Sequence, residues 1–125
     1  MSSPVGGHAH GTAFALDPAD DAERDRRIRE ADLVISMVPA FLHAPIAKVA
    51  IDAGKPVITP SYISPEMSAL DGRARERGVL VLNEIGLDPG IDHLSAMKVL
   101  DEIRDAGGTV TAFESYCGGL IAPDS

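Results

Sequence analysis

The sequence predicts an α/β fold, a doubly wound parallel sheet, and three observations predict it. Short apolar runs alternate with helical patterns at a steady pitch. Glycines stop several of those patterns ahead of the next run, and polar segments rich in glycine and proline follow the runs. Strands that succeed one another through helices are joined by crossovers and lie parallel, with helices expected on both faces.

The elements follow in order. Residues 11–16 fit a short strand, and 20–31 a charged helix with few apolar positions, Ala22, Ile28 and Ala31. Residues 33–37, Leu-Val-Ile-Ser-Met, read as a clear strand. Residues 41–53 read as a helix with Ile46, Val49, Ala50 and Ala53 on one face, stopped by Gly54 before a strand at 55–59. Ser64 followed by Pro65 is an N-cap with proline at the first helical position; Met67, Leu70 and Ala74 line the helix and Gly78 ends it. Val79–Leu82 is the next buried strand. A longer helix runs from about Ile91 to Ala106 with Ala96, Val99, Leu100 and Ile103 inward, ended by Gly107-Gly108 before a strand at 109–116.

Composition narrows the function. A length of 125 residues suits one compact domain, and a 45% apolar content with only five aromatic side chains implies an aliphatic core. The net charge of −8, with eleven Lys and Arg, argues against a nucleic-acid partner. The single cysteine, Cys117, allows no internal disulfide. No apolar run approaches the roughly 18 residues of a membrane span and no signal segment opens the chain, so the cytoplasm is the expected compartment.

Open parallel sheets bind ligands outside the carboxyl ends of their strands. The richest such segment is Asn83-Glu84-Ile85-Gly86-Leu87-Asp88-Pro89-Gly90-Ile91-Asp92-His93. Its glycines let backbone approach a ligand, and Pro89 stiffens the turn. Asp88 can bind an ammonium group or hold a water; equally, Asp88 or Asp92 can cap the following helix. Ser36-Met37-Val38-Pro39 is either a loop lying against a flat ligand or a simple strand-to-helix turn. In Ser61-Tyr62 the phenol can hydrogen-bond a carboxylate or steady an imine nitrogen through water, or rest half-buried at a helix edge. Cys117 has no adjacent Lys or Arg to activate a thiolate, so it is expected to line a pocket instead of acting as a nucleophile. His93 is the kind of histidine that packs or caps, and Asp88, Asp92 and His93 are too generic for a metal site, so no metal is expected. Gly6-Gly7-His8-Ala9-His10-Gly11 fails as a phosphate loop in spacing and context, because no strand precedes it and no helix follows.

Four motifs together resemble the saccharopine dehydrogenase family, in particular its glutamate-forming branch and bacterial relatives. They are Leu33-Val34-Ile35-Ser36-Met37-Val38-Pro39 with His43, Ser61-Tyr62-Ile63-Ser64-Pro65, Asn83–His93, and Ser115-Tyr116-Cys117-Gly118-Gly119-Leu120 with Ala122-Pro123. The resemblance covers about three quarters of the chain. It implies an NADP-dependent oxidoreductase, with NAD possible, acting on the CH–NH bond of saccharopine or a similar conjugate of an amino acid with an oxoacid, in lysine metabolism. It implies cofactor contacts at Ser36, Met37, Val38, Pro39, Leu87, Asp88 and Pro89, substrate contacts at Ser61, Tyr62 and Asp88, and Tyr62, Asp88 and Cys117 as candidates for proton transfer. Ala40 and Ile121 depart from the residues usual in the family, which bears on substrate identity.

By this resemblance residues 1–108 form a Rossmann-type dinucleotide-binding domain without its first glycine-rich βαβ unit, and 109–125 begin an α+β substrate and dimerisation domain. The isolated chain is then expected to be inactive, and the full-length protein a homodimer. The competing reading is a non-catalytic α/β module that binds a nucleotide or a protein.

Overall fold

The computed structural model describes residues 9–118. Their element order is α1 (Asp21–Glu30), β1 (Val34–Ile35), a 3-10 turn (Ala40–Leu42), α2 (His43–Asp52), β2 (Val57–Ile58), α3 (Pro65–Ser68), α4 (Asp71–Arg77), β3 (Val81–Leu82) and α5 (Ile91–Asp105). The strands form one parallel sheet in chain order, β1-β2-β3, with Val34 opposite Val57 and Val57 opposite Val81. Three strands that step outward in sequence order correspond to one half of a Rossmann-type sheet, in which six strands run 3-2-1-4-5-6.

Local sequence explains the helix ends. The Asp20 carboxylate accepts from the Ala22 and Glu23 amides and starts α1. The Ser64 hydroxyl accepts from the Met67 amide at 3.2 Å and Pro65 occupies the first turn of α3. Gly78 closes α4 in the left-handed conformation, φ 63°. The single helix expected after Ser64 is divided: the Leu70 amide bonds back to Met67 O, three residues earlier, so the turn tightens before α4 resumes. That tightening accompanies the packing of both Met67 and Leu70 onto the core.

The core lies between one face of the sheet and α1–α4. Ile28 from α1, Ile46, Ala47 and Ala50 from α2, Val57 from β2 and Met67 from α3 form its buried cluster, with Val34 and Val81 packed against it. The buried stripe of α2 is Ile46, Ala47, Ala50 and Ile51, rotated slightly from the expected one. The alanines let the helix approach the strands closely. Along each strand alternate side chains point to the other face. There Leu33, Ile35, Leu80 and Leu82 are exposed, Ile35 at 61%. Within residues 9–118 the helices that carry the core therefore cover one face of the sheet, and the second helical layer of a doubly wound fold is not supplied by them.

Three expected elements differ. Residues 11–16 form no strand; Phe14 instead lies under the Arg27 guanidinium, 4.3 Å from ring centre to Cζ, at the groove between α1 and β1. Residues 109–116 form no strand either, since among the described residues nothing pairs with them and a lone strand has no ladder. Helix α5 forms as expected, but Ala96, Val99, Leu100 and Ile103 do not become a buried face: α5 contains no buried residue. Residues 6–8 of the Gly6–Gly11 stretch, and the segment from Gly119 onward with Leu120 to Pro123, lie outside the described residues.

Candidate active site at the carboxyl ends of the strands

All three strand exits open on the same side, as parallel pairing requires. The exits of β2 and β3 are stitched together beyond the strands themselves. The Glu84 amide donates to Ser61 O at 3.1 Å and the Ile85 amide to Thr59 O at 3.2 Å. The Glu84 side chain then accepts from the Ile63 amide at 3.3 Å, and Glu84 adopts φ 62° to make the turn.

Beyond Glu84 the chain closes a small loop. Gly86 and Gly90 form an isolated parallel bridge, with the Gly86 amide donating to Pro89 O at 2.8 Å and the Ile91 amide to Gly86 O at 2.9 Å. Gly90 sits at φ 145°, and a Cβ there would lie 2.3 Å from Gly86 O, so the approach of the two backbones excludes any side chain. The Asp88–Pro89 peptide is cis. This loop presents Leu87 and Asp88 outward while Pro89 and Gly90 stay buried.

Asp88 is turned to the site. The Tyr62 hydroxyl donates to Asp88 Oδ1 at 2.9 Å across 26 residues of sequence. The Asp88 carboxylate, with some desolvation, also pushes the thiol of Cys117, beyond α5, up from the ordinary cysteine value. The same carboxylate pushes the Tyr62 phenol up. The three proton-transfer candidates thus meet at one carboxylate, and both flanking acids are kept protonated. A cavity of about 490 Å³ lies beside them, lined by Ala40, Ser61, Tyr62, Ile63, Asp88 and Pro89 among others.

Asp92 resolves the capping question differently from either sequence reading. Gly90 is the N-cap of α5 and makes no side-chain cap bond. The Asp92 carboxylate reaches back to accept the Gly90 amide at 2.8 Å, so it braces the loop instead of capping the helix. It also contacts His93 Nδ1 at 2.8 Å, which holds that imidazole above its ordinary value. Among the described residues no group of three or more His, Cys, Asp or Glu is placed to hold a metal ion.

At the β1 exit the four candidate residues divide by exposure. Met37 is 79% exposed, whereas Ser36 is buried at 4% and its hydroxyl is engaged by His43 Nδ1 at 2.8 Å. Val38 packs against the core, and Pro39 precedes the 3-10 turn as its N-cap. Two polar residues given no role by the sequence complete this region. His43 is buried at the start of α2, and Thr59 at the end of β2 contacts it at 3.1 Å. The available signal was a histidine at a position that falls on the apolar stripe of an amphipathic helix.

Comparison with known proteins identifies relatives of the chain. A family described as the saccharopine dehydrogenase NADP binding domain matches residues 7–82, and one described as the saccharopine dehydrogenase C-terminal domain matches residues 86–125. Saccharopine dehydrogenase [NADP(+), L-glutamate-forming] of Pyricularia oryzae is 51% identical over 119 residues, 95% of this chain and 26% of its own length. The Saccharomyces cerevisiae protein of the same name is 47% identical, covering 90% of this chain and 25% of its own length. The mitochondrial alpha-aminoadipic semialdehyde synthase of Rattus norvegicus is 44% identical over 78% of this chain and 10% of its own. Among solved structures, the apo histidine-tagged saccharopine dehydrogenase (L-Glu forming) from Saccharomyces cerevisiae superposes with a TM-score of 0.75 at 46% identity, covering 91% of this chain and 26% of that one. The chain spans about a quarter of the length of these fungal relatives.

Proposed function

Since the chain belongs to the saccharopine dehydrogenase family, we propose that it carries part of an NADP-dependent oxidoreductase acting on the CH–NH bond of saccharopine or a similar amino-acid–oxoacid conjugate, in lysine metabolism. The observation that carries this reading is the convergence of Tyr62, Asp88 and Cys117 at the carboxyl end of a parallel sheet, with Tyr62 Oη 2.9 Å from Asp88 Oδ1. NADP is the cofactor of this reading, with NAD the alternative.

The residues present fit a nicotinamide. Met37 and Leu87 are apolar, exposed and located at the exits of β1 and β3, where they offer flat-ring contacts on either side of the β2 exit. Ser36–Pro39 and Leu87-Asp88-Pro89 would hold the cofactor, and Ser61, Tyr62 and Asp88 the substrate. When bound, the cofactor supplies hydride transfer at the carbon of the CH–NH bond.

The side chains supply the rest. The Asp88 carboxylate attracts the cationic amine of a substrate and accepts the hydrogen bond of the Tyr62 hydroxyl. Because that carboxylate raises both the Tyr62 phenol and the Cys117 thiol, each stays protonated at neutral pH and acts as a donor, not as a nucleophile. A proton can pass between the substrate nitrogen and solvent by way of Asp88 and the Tyr62 hydroxyl, which is itself open to water.

The same proposal divides the chain into a dinucleotide-binding part at 1–108 and the start of a substrate domain at 109–125; the C-terminal family match begins earlier, at residue 86. It includes a homodimer for the full-length protein, a cytoplasmic location and no nucleic-acid partner. Among the described residues no helix is long and apolar enough to cross a membrane. A non-catalytic binding module is the second reading, favoured by the apolar face of the sheet, which no helix among the described residues covers.

Titration of the purified chain with NADPH, followed by the cofactor's own fluorescence because the chain has no Trp, separates the two. Saturable binding weakened by Asp88→Ala supports the oxidoreductase reading. A chain that is folded by circular dichroism and binds no NADPH refutes a cofactor site in these residues and leaves the binding module.

A further inference from the structure

At the exits of β1 and β2 a histidine is enclosed among hydroxyl groups. His43 is 2% exposed. Its Nδ1 stands 2.8 Å from Ser36 Oγ, and its Nε2 stands 2.9 Å from Ser61 Oγ and 3.1 Å from Thr59 Oγ1. Ser36 and Thr59 are buried, whereas Ser61 reaches the cavity beside Tyr62 and Asp88. None of the three partners carries a charge that would hold an extra proton on the ring, and burial lowers its basicity. The imidazole is neutral, with one N–H and one lone pair.

A neutral imidazole cannot treat its two sides alike. The nitrogen that carries hydrogen donates, the other accepts, and the hydroxyls on the two sides take opposite roles. Nε2 faces two oxygens, and one N–H can be shared between two acceptors whereas one lone pair serves a single donor. In that arrangement Ser36, on the other side, donates to Nδ1. With hydrogen on Nε2, Ser61 accepts from the ring and keeps its own hydrogen for the cavity.

We propose that His43 is a positioning residue whose Nε2–H tautomer ties the exits of β1 and β2 together and holds the Ser61 hydroxyl as a donor toward an acceptor group, such as a carboxylate, in the cavity. The identity of that ligand rests on the proposed function; the link itself does not.

Long-range 1H–15N correlation spectra of the chain read the tautomer directly, with the His43 signals identified by their loss in His43→Gln. The expected result is one neutral tautomer with hydrogen on Nε2. A ring with hydrogen on Nδ1, or exchanging between tautomers, overturns the proposal, and this outcome needs no variant of the network. Ser36→Ala should then release Nδ1, populate both tautomers and shift the Ser61 and Tyr62 amides, an effect that vanishes in a His43→Gln background. Amides that ignore Ser36→Ala, or respond equally without the histidine, also overturn it. NADPH titration of the same samples keeps the readings apart. A single Nε2–H tautomer without NADPH binding removes the cofactor site and leaves the link; NADPH binding with a ring exchanging tautomers does the reverse.

Discussion

Replacing Gly90 by alanine tests the loop that presents Asp88. A Cβ on Gly90 would meet Gly86 O at 2.3 Å, Gly86 N at 2.6 Å and Gly86 C at 2.9 Å, all backbone atoms that cannot swing aside like a flexible side chain. The bridge must open. Three hydrogen bonds depend on it: Gly86 amide to Pro89 O, Ile91 amide to Gly86 O, and Gly90 amide to Asp92 Oδ1. At about 1 kcal/mol net for each, the local cost is about 3 kcal/mol, before any penalty for placing alanine at φ 145°. Gly107→Ala provides the control, since its φ is 76° but nothing lies within 4 Å of the added Cβ. It should cost only about 1 kcal/mol.

Hydrogen exchange on the Gly86 and Ile91 amides reads the difference. Because about 1.4 kcal/mol is a factor of ten, Gly90→Ala should speed their exchange about 100-fold, with core amides such as that of Val57 little changed. Gly107→Ala should leave both loop amides as they are. Protection of Gly86 and Ile91 in Gly90→Ala within about threefold of the parent, far short of the tenfold that each 1.4 kcal/mol brings, would refute the backbone-clash argument.

Three further outcomes are expected. Ile51→Ala removes a side chain with no exposed surface from α2 and should cost about 2–5 kcal/mol, read as a lower urea midpoint at unchanged slope. In a Tyr116→Phe background Tyr62 is the sole tyrosine, and Asp88→Asn should move its ionisation to lower pH, because the hydrogen bond and charge that hold the phenol up are gone; tyrosinate absorbance measures it. The His43 imidazole has a folded pKa below its unfolded one, so between the two the unfolded chain binds more protons. Stability is then complete above the ordinary imidazole value of 6.5 and declines as pH falls below it, by at most about 1.4 kcal/mol per pH unit. Urea midpoints measured across that range should slope less in His43→Gln.

The parts of the fold legible in the sequence were those that local chemistry decides. Asp20, the Ser64-Pro65 pair and Gly78 mark helix ends because a side chain or a missing Cβ satisfies the terminal amides and carbonyls there, and the structure uses each in that way. The strand runs were legible because Val34, Val57 and Val81 all need burial on the same layer. What failed depended on partners that periodicity does not reveal. The apolar positions of α5 and of residues 109–116 have the right residue types, yet burial needs a surface to pack against, and among the described residues they meet none.

The site divides in the same manner. Tyr62, Asp88 and Cys117 are named together through the family resemblance, and the structure brings the Tyr62 hydroxyl onto the Asp88 carboxylate, whose influence also reaches the Cys117 thiol. The hydroxyl cage was not legible, because Ser36, Thr59 and Ser61 reach His43 across seven, sixteen and eighteen residues, separations set by the crossover and not by any local spacing.

The unpermuted strand order has its own consequence. Since β1, β2 and β3 stand side by side as they occur in the chain, their exit loops are laid out along the sheet in reading order. For a ligand bound as proposed, position along it then maps onto position along the sequence: an insertion near Met37 would alter what one end meets, and an insertion near Leu87 what the other end meets. The two ends of such a binding track are independently tunable, with the β2 exit between them as the fixed point.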